Sequence, residues 1–457
     1  MSEHSLQNTD QLIKMAETAL AKAKGFGADE ADAVVSYGTE FEVKVADGKI
    51  INLTQATSKS LGLRVISQHR QAVCSTSDFS STSLAELAER AVSLAKEMEA
   101  DPNHGIAPSP TGNKDTVKDL ELYDPRIVEL ETSEKIRWAF EIEEAARATD
   151  PHITKFRDSG ISSGQSHSVL VTSGGSVQTA AGTGISAWCT PLAVKENELQ
   201  TEFWYSSGCQ LDDLEPHISV GQKAANRAAR MLGARAIKSQ NATIVFEPRM
   251  ATGVVGSLIS GLDGDLVYKK ASFLCDKIGE EICSPLLTVT DDPYQKRKPG
   301  SSHYDGEGYT AEKKELLTKG ILNTYLYDHY TAKKAGRKST ANGQRGVGGL
   351  PYIGCFNLTL APGTISEEEL LQNSGGTLLI TRGLGRGLDP ITGDYSRGIN
   401  GLWFENGELV HPVQEVTIAG NFLEMLQRID ALGSKAQWFG SSSTPAIRMR
   451  DVTISGI

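Results

Sequence analysis

The six cysteines of this chain include no C-x-x-C pair. This absence argues against zinc knuckles and thioredoxin-like redox motifs, and we expect free, buried thiols. No apolar run approaches the roughly 18 residues needed to span a bilayer. The opening stretch MSEHSLQNTDQ lacks a basic region followed by an apolar one. The sequence therefore predicts a cytoplasmic protein without a secretory signal.

Basic residues are also fewer than acidic ones. The formal net charge is -11, because 57 Asp and Glu residues outnumber 46 Lys and Arg residues. Nucleic acids are bound through clustered basic side chains, so this balance argues against nucleic acid as the main partner. Acidity otherwise indicates little beyond solubility.

The chain does contain enough apolar material for several folded units. Its 457 residues, 39% of them hydrophobic, exceed what one core usually supports, and its 45 glycines fit a turn-rich globular protein. We predict three modules, at residues 1–110, 111–238 and 239–457. The turn-rich stretch Asp101–Asp115 marks the first boundary, and Gly233–Gln240 marks the second.

The periodicity of the apolar residues predicts an α+β fold. Helical spacing runs from Thr9 to Gly25, and Ser83 with Glu86 forms a capping box for a second helix. We expect an N-terminal α/β half with helices packed on a mixed sheet, and a largely antiparallel β C-terminal half with few helices. The predicted hairpin turns are Asp47-Gly48, Gly174-Gly175, Lys319-Gly320 and Asn406-Gly407.

The chain is organised around the stretch IVFEPRMATGVVGSLISGLDGD, which begins at Ile244. Its β-branched start predicts a buried strand, and the apolar residues after Pro248 recur at helical spacing. Gly261 and Gly264 fit the end of that helix. A short strand leading into a helix is therefore expected here.

This stretch resembles the TldD/PmbA family of bacterial metallopeptidases, in which TldD and TldE (PmbA) subunits form pairs. In the catalytic TldD-type subunit the helix carries His-Glu-x-x-x-His and runs into Leu-Glu-Gly-Asp; this chain has Leu262-Asp263-Gly264-Asp265 there. Counting back places Val255 and Ser260 at the histidine positions and Gly256 at the glutamate position. Stretches such as HYDGEGYTAEKKELLTKGILNTYLYDHY extend the resemblance over nearly the whole chain.

These three residues change the expected chemistry. A hydrolytic zinc site typically needs three imidazole, thiolate or carboxylate ligands and a carboxylate base. Val255 has no donor atom, Gly256 has no side chain, and Ser260 has only a neutral hydroxyl. The resemblance also implies a cysteine ligand near the C-terminus, but the last cysteine is Cys355 and the stretch 433–444 has none. We therefore expect no catalytic residue and no metal in this chain.

The resemblance implies the PmbA (TldE) side of the pair. On that reading zinc is held only by a TldD-like partner in a heterodimer, although a homodimer stays open. The two chains would enclose a chamber in which unfolded peptides are matured or degraded, among them precursors of antibacterial peptides and antitoxins. This chain would supply walls and binding surface, without a cofactor of its own.

Two motifs support an alternative, a self-sufficient hydrolase. Gly160 to Gly164 matches G-x-S-x-G around Ser162, but the following residues alternate like a strand and favour a hairpin turn over a nucleophile elbow. His303, Asp305 and Glu307 are spaced two apart, which on a strand puts three ligands on one face. Their interleaved glycines favour a solvated loop.

The glycine-rich stretches NGQRGVGGLPYIG, which begins at Asn342, and RGLGRG (382–387) do not continue into Gly-Lys-Ser/Thr, which argues against a phosphate loop. Tight backbone turning explains most of the glycines. A functional interpretation is that Gln344, Arg345 and Tyr352 line a peptide path, with the arginine holding a carboxylate. A further alternative for the whole chain is a homodimeric binding or scaffold protein without enzymatic activity.

Overall fold

The computed structural model describes residues 9–108, 119–372, 375–385 and 387–457. Seven strands of the N-terminal half form one sheet in the order β3-β2-β1-β4-β5-β6, with β7 also paired to β5. The strands are β1 (Glu30–Ala46), β2 (Lys49–Ser67), β3 (Arg70–Thr76), β4 (Ile153–Thr172), β5 (Val177–Lys195), β6 (Glu198–Thr201) and β7 (Trp204–Gly208). The sheet therefore takes its strands from both sides of the expected boundary near residue 110.

All pairings in this sheet are antiparallel, whereas a mixed sheet was expected. The reason lies in the connections, since tight turns join β1 to β2 and β4 to β5 directly. Asp47 and Gly48 have φ of 50° and 74°, and Gly175 has φ of 90°. Such turns permit only antiparallel neighbours.

Helices cover one face of this sheet. They are α1 (Thr9–Gly25), α2 (Ser81–Glu97), α3 (Pro125–Glu129), α4 (Thr132–Thr149) and α5 (His217–Ala229). Ala33 and Val35 of β1 belong to the core under α1 and α2, and Phe41 and Val43 to the core under α4 and α5. Odd-numbered residues of one strand share a face, so both cores lie on the same side. The other face is left for the C-terminal half.

The C-terminal half consists mostly of two further six-stranded sheets. One has the order β17-β16-β15-β8-β21-β18, closed by a pairing of β17 with β21, and the other β11-β10-β9-β14-β20-β19. Among the described strand pairs of this half, only β8–β15 and β14–β20 are parallel. The strands are β8 (Gln240–Phe246), β9 (Val289–Asp291), β10 (Lys314–Thr318), β11 (Ile321–Leu322), β12 (Gly343–Gln344), β13 (Tyr352–Ile353), β14 (Leu358–Leu360), β15 (Thr377–Leu384), β16 (Asp394–Glu405), β17 (Glu408–Asn421), β18 (Ile429–Leu432), β19 (Gln437–Phe439), β20 (Ser442–Thr444) and β21 (Ile447–Ser455). The α+β class and the strand-rich C-terminal half are confirmed.

Five short helices complete this half: α6 (Pro248–Ser260), α7 (Gly264–Tyr268), α8 (His329–Lys334), α9 (Glu367–Leu371) and α10 (Phe422–Gln427). The predicted strand and helix around Pro248 are confirmed as β8 and α6, with Gly261 as the C-cap. The hairpin turns predicted at Lys319-Gly320 and Asn406-Gly407 are also confirmed.

Some details differ from prediction. The cap of α2 is Ser80, whose side chain accepts from the Ser83 backbone N–H, so the predicted capping box begins three residues too late. The predicted linker lies outside the described residues from position 109 onward, as does Arg386 of the RGLGRG stretch. The division into three modules stays a prediction. No helix of the described residues is long and apolar enough to cross a membrane.

Candidate functional site

The helix α6 places the three matched positions in different surroundings. Val255 is 3% exposed and belongs to the C-terminal core. Gly256 lies at the surface with open space where a Cβ would stand. The exposed Ser260 donates its hydroxyl to the Ser257 carbonyl over 2.7 Å. The donor set does not fit a zinc ion, because only one of the three side chains has a polar atom and that atom is already engaged.

The residues after α6 have a structural role. Asp263 caps α7 by accepting from the N–H groups of Asp265 (2.8 Å) and Leu266 (3.3 Å). A Cβ on Gly264 would lie 2.3 Å from Tyr327, so a larger residue cannot stand there without displacing that ring. The Leu-Asp-Gly-Asp motif thus fixes a tight helix-to-helix connection.

The G-x-S-x-G segment is neither a hairpin turn nor a nucleophile elbow. Ser162 lies in the middle of the 20-residue strand β4, with Glu42 and Ser186 opposite it on the two neighbouring strands. A Cβ on Gly160 would lie 2.3 Å from the Val43 carbonyl, and one on Gly164 2.6 Å from the Thr39 carbonyl. The glycines therefore allow close strand approach, and the strand-turn-helix context of a catalytic serine is absent here.

The prediction of a solvated loop around His303 is wrong for Asp305 and Glu307. Asp305 is 5% exposed and Glu307 1% exposed. Asp305 accepts from the backbone N–H groups of Glu307, Tyr309 and Gly343, each over 3.0 Å. Burial raises the pKa of Asp305 to about 6 and that of Glu307 to about 8. The glycines here give a tight buried turn, and not a solvated one.

A metal site is not formed at this turn either. Throughout the ranges that the structure describes, no three His, Cys, Asp or Glu side chains are grouped so that they could hold a metal ion. The alternative in which His303, Asp305 and Glu307 share one strand face is not realised, because the segment is not a strand. The hydrolase alternative based on this cluster therefore lacks its geometry.

Arg345 is committed to another protein group. Its side chain is 1% exposed and forms an ion pair with Asp32 of β1, which is fully buried. Its Nε donates to the Gly349 carbonyl over 3.0 Å. Gln344 pairs with Tyr352 in the two-stranded ladder β12–β13, and Tyr352 is 60% exposed. Of the three predicted peptide contacts, the arginine has no solvent-facing edge with which to hold a substrate carboxylate.

Asp32 joins the two halves of the chain through a buried ionic junction. It also pairs with Arg64 of β2, whose Nε donates to it over 2.9 Å. Arg64 lies 3.6 Å from Glu307, whose other oxygen accepts from the His329 N–H over 2.7 Å. Although burial opposes ionisation, the two arginines hold the pKa of Asp32 below its usual value. We call Asp32, Arg64 and Arg345 the ionic junction, and Glu307 lies beside it.

A long cleft lies beside this junction, on the sheet face opposite the helices. A part of about 1210 Å³ is bounded by β1, β4 and β5 on one side and by loops of the C-terminal half on the other. A second part of about 630 Å³ continues it, and both parts include Pro299. Val34 and Leu170 contribute to the sheet side, and Tyr304 and Phe356 to the loop side. The cleft is thus formed jointly by the two halves and is large enough for a chain segment.

Family models match three consecutive parts of the chain. They are described as PmbA/TldA metallopeptidase domain 1 (residues 31–95), central domain (125–232) and C-terminal domain (239–456). The chain is also 31% identical to the Metalloprotease PmbA of Escherichia coli O157:H7, over 97% of this chain and 96% of the relative. The chain belongs to the PmbA/TldD metallopeptidase family.

Solved structures agree with this assignment. A putative modulator of DNA gyrase from Bacteroides thetaiotaomicron superposes with a TM-score of 0.90 at 27% identity, covering 98% of this chain and 100% of that one. TldE from Thermococcus kodakarensis superposes with a TM-score of 0.84, covering 96% and 99%. At 21% identity the second match establishes the shared fold alone. The family predicted from the sequence is confirmed.

Proposed function

We propose that this chain is the PmbA/TldE-like, non-catalytic subunit of a cytoplasmic two-chain peptidase acting on unfolded peptides. The observation that carries the proposal is the donor set of α6. A core valine, a bare glycine and a surface serine stand where the family's catalytic subunit is expected to have His, Glu and His. These residues cannot supply the ligands or the base that zinc-dependent hydrolysis requires.

The partner proposed for this chain is a TldD-like subunit that holds the metal. The name of one relative, PmbA in Escherichia coli O157:H7, supports the assignment to this side of the pair. We propose that this chain itself forms a wall of the chamber in which the peptide lies.

The long cleft supports that role. Its sheet side includes the exposed Ala180 of β5, whose small side chain leaves the cleft floor open next to Gln178. Its loop side offers the hydroxyl of Tyr304 and the amide of Gln344. An extended peptide exposes a backbone donor and acceptor at each residue, so polar groups along an open groove are suited to it.

The decisive experiment compares the chain alone with the chain mixed with a TldD-like subunit from the same cell. Zinc content and hydrolysis of an unfolded peptide are measured in both samples. We expect the lone chain to contain no stoichiometric zinc and to cleave nothing, and the mixture to cleave. Stoichiometric zinc in the lone chain, or hydrolysis by it, would refute the proposal.

A substitution in the long cleft tests separately whether this chain forms a wall of the peptide chamber. In Ala180→Trp an indole fills part of the cleft floor, and we expect hydrolysis by the mixture to fall by about tenfold or more, because displacing a substrate by 1 Å can cost that much. Ala21→Trp, at an exposed position of α1, is the matched control and should keep full activity. Equal activity of the two variants would show that the peptide does not pass through this cleft.

A further inference from the structure

A second, smaller cavity lies away from the long cleft, at the start of α6. Its volume is about 240 Å³, and it is bounded by the end of α5, β8, α9 and β19. Apolar side chains supply much of its wall, among them Trp204, Leu370, Leu379 and Phe439. Three arginines, Arg227, Arg230 and Arg249, complete the wall together with Glu247 and the exposed Glu367.

Two of the arginines are paired with acidic groups of the protein, although Nε of Arg227 has no hydrogen-bond partner among the described residues. Arg227 donates to both oxygens of Glu247, over 2.9 and 2.8 Å, and lies 3.5 Å from Glu202. Arg249 donates to the Thr381 carbonyl over 2.6 Å and lies 3.4 Å from Glu247 and 3.7 Å from Glu202. The two buried acids therefore balance these two cations.

Arg230 is the one of the three arginines that no acidic side chain of the described residues balances. Its Nε and Nη2 atoms are buried and have no hydrogen-bond partner within the described part of the chain. It also forms no salt bridge with any described residue. Two buried guanidinium nitrogens without a described partner are costly even though the residue is only partly buried, so an anion that reached them through the cavity would gain a strong interaction.

The two free atoms define the kind of anion. Nε and Nη2 form one side edge of the guanidinium plane, with two parallel N–H groups that match the two oxygens of a carboxylate. The apolar wall next to them matches a hydrocarbon group. A volume below the roughly 300 Å³ at which ligand pockets usually begin limits the ligand to about one amino-acid-sized unit.

We propose that this cavity binds a small carboxylate with an apolar side group, and that Arg230 holds the carboxylate through its Nε and Nη2. Two sources share this chemistry: a free acylated apolar amino acid, and the C-terminal residue of a peptide. The site is separate from the α6 positions and from the long cleft, so it does not depend on the proposed peptidase role.

Calorimetric titration of the full chain tests the site with N-acetyl-L-leucine as the probe. We expect saturable binding that weakens at least about tenfold with N-acetyl-L-leucinamide, which lacks the carboxylate, because a charged bidentate contact is lost. Arg230→Lys should weaken binding by about tenfold or more, since lysine keeps the charge without the fork. Arg230→Leu should abolish it, and Arg235→Leu, at an exposed arginine nearby, should leave it unchanged.

Thermal unfolding provides the second measurement. N-acetyl-L-leucine should raise the melting temperature of the unmodified chain and leave that of Arg230→Leu unchanged. Without ligand, Arg230→Leu should melt no lower than the unmodified chain, because the variant loses an unpaired buried charge. Binding of the amide as tight as that of the acid, unchanged binding by Arg230→Leu, or inorganic phosphate binding as tightly as the probe would overturn the proposal. An acetylated peptide ending in Leu that binds more tightly than the probe would assign the site to peptide C-termini. Weaker binding of that peptide would assign it to free acids.

Discussion

The ionic junction predicts a large loss of stability from a change of one atom. In Asp32→Asn the fully buried carboxylate becomes a neutral amide, while Arg64 and Arg345 stay buried, with side chains 2% and 1% exposed. The variant weakens charged contacts from both guanidinium groups, each worth about 1.5–3 kcal/mol. Removing one partner of a buried ion pair costs about 3–5 kcal/mol, and we expect a loss in that range.

Urea unfolding of the isolated chain, followed by circular dichroism, measures this loss as a change in the free energy of unfolding. Glu40→Gln is the matched control, because it removes an acid from an exposed position of the same strand, and its effect should stay within about 0.5 kcal/mol. Hydrogen exchange should also show earlier opening at Gly349, whose carbonyl accepts from Arg345. A loss below about 1 kcal/mol would refute the view that Asp32 holds the two halves together.

Two further predictions concern the same region. Burial raises the pKa of Glu307 to about 8, from an ordinary value of 4.5, so the folded state holds this proton more tightly than the unfolded state. The contribution of this proton to stability is therefore full below about pH 4.5 and is lost as the pH rises to about 8. Urea unfolding at pH 5, 7 and 9 should show that the free energy of unfolding declines by up to about 1.4 kcal/mol per pH unit in that window. Glu307→Gln should flatten this decline, whereas the control Glu97→Gln at the surface should not. An unchanged slope in Glu307→Gln would contradict the assignment. A Cβ on Gly62 would lie 1.5 Å from the Val347 carbonyl, so Gly62→Ala should lower the free energy of unfolding in urea by about 1–3 kcal/mol. The loss should exceed that of Gly184→Ala, whose Cβ meets nothing within 4 Å. Equal losses would show that the loop around Val347 adapts freely.

The sequence was sufficient for the elements whose signals are local. Strand β8, helix α6 and the turns at Asp47-Gly48 and Asn406-Gly407 follow from apolar spacing, Pro248 and glycines with positive φ. The pairing of β1 with β4 could not be predicted in the same way, because more than 100 residues separate the two strands. Local periodicity indicates a strand but not its neighbour, and the antiparallel sheet was therefore missed.

The candidate site was predicted less well than the fold. Glycines at 306 and 308 suggested a solvated turn around Asp305, but partners distant in the chain bury it. A signal for the ionic junction was available: Asp32 and Arg64 each lie within a short, mostly apolar run of their strands (31–35 and 61–66), which is unusual for charged residues unless they are paired. Nothing in the sequence indicated that Arg345 would be the third member, because its contact with Asp32 spans most of the chain.

The burial pattern of α6 shows how the residues at the three matched positions affect the stability of the fold. Met250, Val254 and Leu258 face the C-terminal core and hold the helix in place whatever stands at the matched positions. Gly256 and Ser260 lie at the surface, where a change of side chain costs little stability. Val255 is buried, and an aliphatic side chain gains about 1.5–3 kcal/mol from full burial, which a polar imidazole at that place would not. The residues present are thus neutral for stability at two of the matched positions and stabilising at the third.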